Sequence, residues 1–349
     1  MAQNSKSRNR KKVWWWIGTV VVVLVIIFGI ALKHNAASKK AAVTPKHDNY
    51  VLRLADASGV CGAPQQVAIS KGFFKKEGLK YKLVKLSADS NGLEATTSNK
   101  VDASNSLLGS VVQPLANGAQ VKITTGLHTG CISILTPKNS NIKTAKDLVG
   151  KKIGVAQVAG SEATFAKRYL SENGVKVGTK DSQVQFTQYD AAELPIALKK
   201  GQVNAIAIED PDVQIAVKNY GFHILAASAK TKPFNTEYCC VAYVSSKLAK
   251  EHPEIAKKYT IAMQEATRWV AKHKAQTAKL QIAKKYAAGS ATTNLKALET
   301  YDWKASYDGG QKAFIRVGKD LQKAGVVSKD TDVNALAKNS FLKVSGAAS

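Results

Sequence analysis

Acidic residues are scarce in this 349-residue chain: 25 Asp and Glu stand against 51 Lys and Arg, a formal net charge of +26. An excess of that size first suggests nucleic acid. The rest of what is missing argues against it. Lysines are spread over the whole length, Arg is rare beside Lys, and no basic stretch is interleaved with aromatics as a base-stacking platform would be. No nucleic-acid partner is expected, and the charge reads as solvated surface suited to an anionic cell envelope. Catalytic signatures are missing too: there is no P-loop, no nucleophile elbow and no zincin helix. The four cysteines include no Cys-x-x-Cys pair. No repeat of solenoid length occurs. With 45% apolar and 22% charged residues the chain is not of disordered composition. Its length allows one large or two modest domains.

What is present begins with a compartment signal. Residues 8–12 are densely basic, and residues 13–32 carry no charge, enough apolar helix for one bilayer crossing. Trp14, Trp15 and Trp16 stand at its edge, where indoles favour the interface. The pattern predicts a cytoplasmic tail over 1–12, a transmembrane signal-anchor over 13–32 and a linker over 33–47. Everything after it would lie outside the cell membrane. Asn35, Ala36 and Ala37 offer the alternative, a cleavage site. No Cys lies nearby, so a lipoprotein anchor is excluded.

Beyond the linker, strand-like and helix-like segments alternate. Strands are predicted at 51–56, 81–87, 101–106, 121–127, 131–137, 152–156, 183–187, 203–208, 222–227 and 239–245. Helices are predicted at 64–77, 90–99, 109–117, 161–173, 190–200 and 211–219, and almost everywhere beyond Pro253. Such alternation implies parallel-rich sheets covered on both faces. Two runs of it, followed by a helical third, imply two α/β lobes.

Particular segments are less generic. KGFFKKEGLKYKLVKL at 71–86, NIKTAKDLVGKKIGV at 141–155, AGSEATFAKRYLSENGV at 159–175, ALKKGQVNAIAIEDP at 197–211 and VSSKLAKEHPEIAKKYTIAMQEATRW at 244–269 follow one another in order. Together they resemble the nitrate/sulfonate/taurine-binding proteins of ABC importers, the SsuA/THI5-like or NMT1-like family. The resemblance implies a type II periplasmic-binding-protein fold. One lobe would be built from 48–132 and 243–345 and the other from 133–242, with hinge strands near 131–137 and 239–244. It also implies a binding protein and not an enzyme, a small-molecule ligand in the cleft between lobes, and an ABC permease with its ATPase as partner. A thiamine-pyrimidine enzyme and a sensory or adhesive surface module are the rival classes.

Ligands of open α/β sheets sit beyond the carboxyl ends of strands, and helix N-termini offer free N–H groups there. The candidate contacts are therefore Ser58, Gly59, Val60, Cys61 and Gly62 after the first strand, Asn105 and Ser106 after the third, and Thr129 and Gly130 before the first crossing. Gly160, Ser161 and Glu162 at a second-lobe helix start and Glu209 and Asp210 complete the set. Ser161 doubles as a candidate helix cap. Neutral donors suit a small sulfonate or nitrate. If two of Asp56, Glu94, Glu162 and Glu209 face the cleft, an amine or aminopyrimidine fits better, because carboxylates accept its N–H donors. Cys61 and Cys131 are either unpaired or bonded to each other. His128 and Cys131 stand three apart, a spacing too common to define a metal site, so neither metal nor cofactor is expected.

Overall fold

The computed structural model describes residues 49–349 apart from 87–90 and 179. The expected tail, membrane span and linker lie outside the described residues. Among the described residues no helix is long and apolar enough to cross a membrane.

The first lobe opens with β1 (Val51–Ala55), α1 (Ala63–Ser70), α2 (Phe73–Lys76) and β2 (Lys80–Val84). It continues through α3 (Gly92–Thr97), β3 (Ala103–Leu107), α4 (Val112–Ala116) and β4 (Val121–Thr129). The second holds β5 (Ile132–Thr136), β6 (Lys152–Val155), α5 (Ser161–Glu172), β7 (Gln185–Gln188), α6 (Leu194–Lys199), β8 (Ala205–Glu209), α7 (Asp212–Tyr220) and β9 (His223–Ala227). The chain then returns through β10 (Tyr238–Ser245). The helices α8 (Ser246–Glu251), α9 (Pro253–Lys272), α10 (Lys274–Ala283), α11 (Ala291–Thr300), α12 (Tyr307–Lys323) and α13 (Val333–Ser340) follow. Two five-stranded sheets result, in the orders β2-β1-β3-β10-β4 and β7-β6-β8-β5-β9. In each, three neighbouring strands run parallel and the strand that carries the chain between lobes runs antiparallel to its neighbours.

The local sequence explains the elements. Pro64 sits in the first turn of α1, where its missing N–H costs nothing. The single helix expected over 64–77 is two, because Gly72 adopts φ +78° and ends the α-helical run. Along α5 the buried residues Ala163, Ala166 and Leu170 recur at helical spacing beside Phe165 and Tyr169. The long α9 buries Ile255, Tyr259, Met263 and Val270 against the first sheet. There Tyr259 stacks on Phe74 and donates its hydroxyl to the Ser104 carbonyl at 2.9 Å. Leu52 and Leu54 are fully buried in the same core, each contributing about 1.5–3 kcal/mol.

The crossings differ from expectation. β10 pairs with β3 from Cys240 to Val244 and with β4 from Tyr238 to Ser245 through three register shifts, with Cys240 opposite Leu107 and Tyr238 opposite Thr129. Residues 238–242 therefore belong to the first sheet; leaving a ladder midway would forfeit its hydrogen bonds. β5 likewise lies wholly in the second sheet. The chain changes lobe at Gly130–Cys131 and again between β9 and β10. Gly130 has φ +77°, and a Cβ there would meet Ala229 Cβ at 2.7 Å, so glycine is required. Cys131 takes φ +119°, a region that costs an L-residue energy.

Candidate functional site

The carboxyl ends of β1 and β3 in one sheet and of β6, β7 and β8 in the other face a cleft of about 940 Å³. The first-lobe wall begins with the loop after β1. Buried glutamines hold that loop: Gln65 Nε2 donates to the Ala55 carbonyl at 2.6 Å and Gln66 Nε2 to that of Gly59 at 2.9 Å. From α10, Gln281 Nε2 donates to Gln66 Oε1 at 3.0 Å and to the Val60 carbonyl at 3.3 Å. Ser58, Cys61 and Gly62 line the cleft, whereas Val60 is fully buried and Gly59 spends its carbonyl on the glutamines. Gln65, Gln66 and Gln281 are positioning residues that sequence reasoning missed. A pair of adjacent glutamines inside an apolar helix was the available signal.

Asn105 and Ser106 also line the cleft, but from within β3, where they pair with Ala242 and Val241 of β10. The loop expected there begins only after Leu107. Ser106 Oγ lies 2.7 Å from the Tyr243 hydroxyl.

From the second lobe come Gly160, Ser161, Glu162 and Glu209. Gly160 is the N-cap of α5 and Ser161 its first helical residue, so Ser161 is not the cap. Its hydroxyl is buried and has no hydrogen-bond partner among the described residues. Gly109 of the opposite lobe lies so near that a Cβ on it would come within 3.1 Å of that hydroxyl. Besides Gly59 and Val60, three candidates lie off the cleft lining. Thr129 Oγ1 accepts the Asp302 amide at 3.0 Å, and Gly130 shapes the crossing. Asp210 accepts from the Tyr301 hydroxyl at 2.8 Å and from Gln214 Nε2 at 3.2 Å.

The electrostatics of the cleft invert those of the chain. Asp56, Glu94, Glu162, Asp190, Glu209 and Asp212 line it, and among the described residues no Lys or Arg does. Burial pushes Glu209 well above the carboxylate range and raises Glu162 and Asp212 as well. Burial also lifts Asp210 to about 7, against the opposing hydrogen bond from Tyr301. A positive or N–H-bearing partner would relieve the unpaired carboxylates.

Behind the cleft the lobes are clasped by ions. Arg168 of α5 donates Nε to Asp320 of α12 at 2.8 Å and Nη2 to Glu237 at 2.7 Å. Arg316 meets Glu237 at 2.8 Å. No local pattern signals this clasp, since its members are far apart in the chain. The four cysteines carry no disulfide. Cys61 and Cys240 touch the cleft, and Cys131 and Cys239 lie behind them.

Comparison with known proteins supplies the family. A Bacillus subtilis (strain 168) protein named for aliphatic sulfonate binding is 27% identical over 225 residues, covering 62% of this chain and 65% of that relative. A Haemophilus influenzae protein named for thiamine biosynthesis is 28% identical over 141 residues, 40% of this chain and 43% of its own length. The chain thus spans less than two thirds of the curated relatives it matches. The periplasmic aliphatic sulphonate binding protein SsuA from Escherichia coli shares the two-lobed α/β fold at a TM-score of 0.69 and 19% identity, over 85% of this chain and 94% of that one. The NMT1/THI5 like family model matches residues 62–277, most of the described chain, and the chain belongs to that family.

Proposed function

We propose that this chain is the solute-binding protein of an ABC importer, and that its cleft takes a small molecule presenting N–H donors or positive charge. An aminopyrimidine of the thiamine-precursor type fits this description better than a sulfonate or nitrate. Family membership and the two-lobed fold support the first half. The single observation behind the second is the cleft lining, six carboxylates with no cationic side chain among the described residues. An anion would be repelled by that wall, and the N-terminus of α5 offers little relief, because Glu162 in its first turn already answers the partial positive charge.

The mechanism is differential affinity. A ligand touching Ser58 and Asn105 on one wall and Ser161 and Glu209 on the other contacts both lobes only when they close, so it shifts the population to the closed form. A permease would then read that form. The proposed sites are Ser58, Cys61, Gly62, Asn105, Ser106, Gly160, Ser161, Glu162 and Glu209. Delivery from outside the membrane would rest on the anchor predicted over 13–32.

A thermal-shift screen of the full chain tests the reading, since a ligand that binds only the native state raises its melting temperature. Hydroxymethyl aminopyrimidine or small diamines should raise it in a dose-dependent way, and methanesulfonate and nitrate, which carry no N–H donor, should not. Stabilisation by methanesulfonate alone would overturn the ligand class while leaving the family intact.

A further inference from the structure

Five side chains that a two-lobed clamp does not need cluster beside the cleft, with Cys61 and Cys240 in its lining. Cys61 comes from the loop after β1, His128 from β4, Cys131 from the crossing, and Cys239 and Cys240 from β10. The Cys61 and Cys240 sulfurs and a His128 ring nitrogen all lie within 4.8 Å of one another. The sulfurs of Cys131, Cys239 and Cys240 form a second such triad, sharing Cys240. All four thiols are free.

The imidazole supplies an independent observation. His128 is 0% exposed and lies against the rings of Tyr301 and Trp303, with centroids at 5.1 and 4.4 Å. Its Nδ1 is 3.1 Å from the Thr129 carbonyl, while Nε2 is buried with no hydrogen-bond partner among the described residues. A backbone carbonyl holding Nδ1–H fixes the tautomer and leaves the Nε2 lone pair free. That is how proteins orient a metal-ligating histidine. Cys61 is the thiol that interacts with this imidazole, so a nitrogen donor and a sulfur donor already face one another here.

We infer that this cluster binds one thiophilic d10 metal ion, Cu⁺ or Zn²⁺, through Cys61, His128 and Cys240, with Cys131 and Cys239 as further donors from behind. The donors in both triads are sulfur and imidazole nitrogen. This selects soft ions and excludes Ca²⁺ and Mg²⁺, which demand oxygen. Cys61 and Cys240 line the cleft, so the ion has a path in from it. Each thiol that becomes a ligand releases its proton to solvent, and no oxidation state changes. The inference is independent of the solute that fills the cleft, and its failure would leave that reading untouched. Sequence spacing alone could not define the site, because its members come from three separate stretches of the chain: Cys61, His128 with Cys131, and Cys239 with Cys240.

The test uses the full chain, reduced and stripped of metal by a chelator. Cu⁺ held by bicinchoninate and Zn²⁺ held by a colorimetric chelator are offered separately, and native mass spectrometry counts bound ions. The chain should take one ion per molecule from at least one competitor. His128→Gln and Cys240→Ser should each weaken binding by about tenfold or more, with unchanged circular dichroism. In the unsubstituted chain, the bound ion should slow alkylation of Cys61 and Cys240, a readout that does not depend on how the variants fold. Retention of neither ion would overturn the inference. So would alkylation indifferent to the ion, or a Cys61–Cys131 disulfide in protein purified without reductant.

Discussion

The outer surface and the cleft of this molecule carry opposite charge. Across the whole chain Lys and Arg outnumber Asp and Glu by 51 to 25. Inside the cleft six carboxylates line the walls, with no Lys or Arg among the described residues. A wall drawn at random from this chain would be basic, so the acidic lining points to the ligand rather than to the background. Net charge therefore describes the exterior and its surroundings, and the local sign describes the site. A similar contrast runs along α5. Its Arg168 is paired by Asp320 and Glu237, while Ser161 at the other end has a hydroxyl with no hydrogen-bond partner among the described residues. The paired end holds the lobes together, and the unpaired end lies buried beside Gly109 of the opposite lobe, where the proposed ligand contact would have to form.

The largest effect expected from disturbing this contrast is at the paired end. Arg168→Leu removes the close partner of the buried Asp320 carboxylate and leaves Glu237 its pair with Arg316, and should lower stability by about 3–5 kcal/mol, read by urea denaturation. A loss below about 1 kcal/mol, the range of an exposed pair, would mean that the clasp contributes little. Next comes pH. The Asp210 carboxyl is lifted by burial to about 7, from 3.8. A raised carboxyl favours the protonated folded state, so the stability it supports is complete below pH 3.8 and declines as pH rises toward about 7. Asp210→Asn should remove that decline, a difference of a few kcal/mol on the order of 1.4 per pKa unit. Melting curves of the two proteins across this range should diverge as pH rises; parallel curves would contradict the assignment. The smallest effect is at the unpaired end. Ser161→Ala removes an unsatisfied hydroxyl and no cap, so stability should stay within about 0.5 kcal/mol. Ligand affinity should fall threefold to tenfold, from a hydrogen bond of about 0.5–1.5 kcal/mol. A marked drop in stability with unchanged affinity would return Ser161 to a purely structural role.

Much of the fold could be read from local pattern. The alternation of strands and helices located the strands of both sheets, and the Gly160–Glu162 turn reached the cleft because a helix start after a strand is a local event. Strand edges were less legible. Asn105 and Ser106 were placed at the carboxyl end of the third strand, and pairing with β10 across the sheet carries that strand on to Leu107. The membership of residues 238–242 likewise depends on partners more than a hundred positions earlier. The clasp of Arg168, the glutamine brace under the loop after β1 and the thiol–imidazole cluster share one property: each joins residues remote in sequence, which no spacing rule reports. The ligand's sign was left open between anion and amine, because deciding it required knowing which carboxylates share a wall.

Calorimetry of the full chain at neutral pH, with hydroxymethyl aminopyrimidine and with methanesulfonate, compared with the Glu209→Gln variant, tests the acidic lining of the cleft most directly. The aminopyrimidine should bind, and Glu209→Gln should weaken it by the loss of a hydrogen bond, about 0.5–1.5 kcal/mol or threefold to tenfold, while methanesulfonate releases no heat with either protein. Methanesulfonate binding to the unsubstituted chain, with no binding of the aminopyrimidine, would contradict the account.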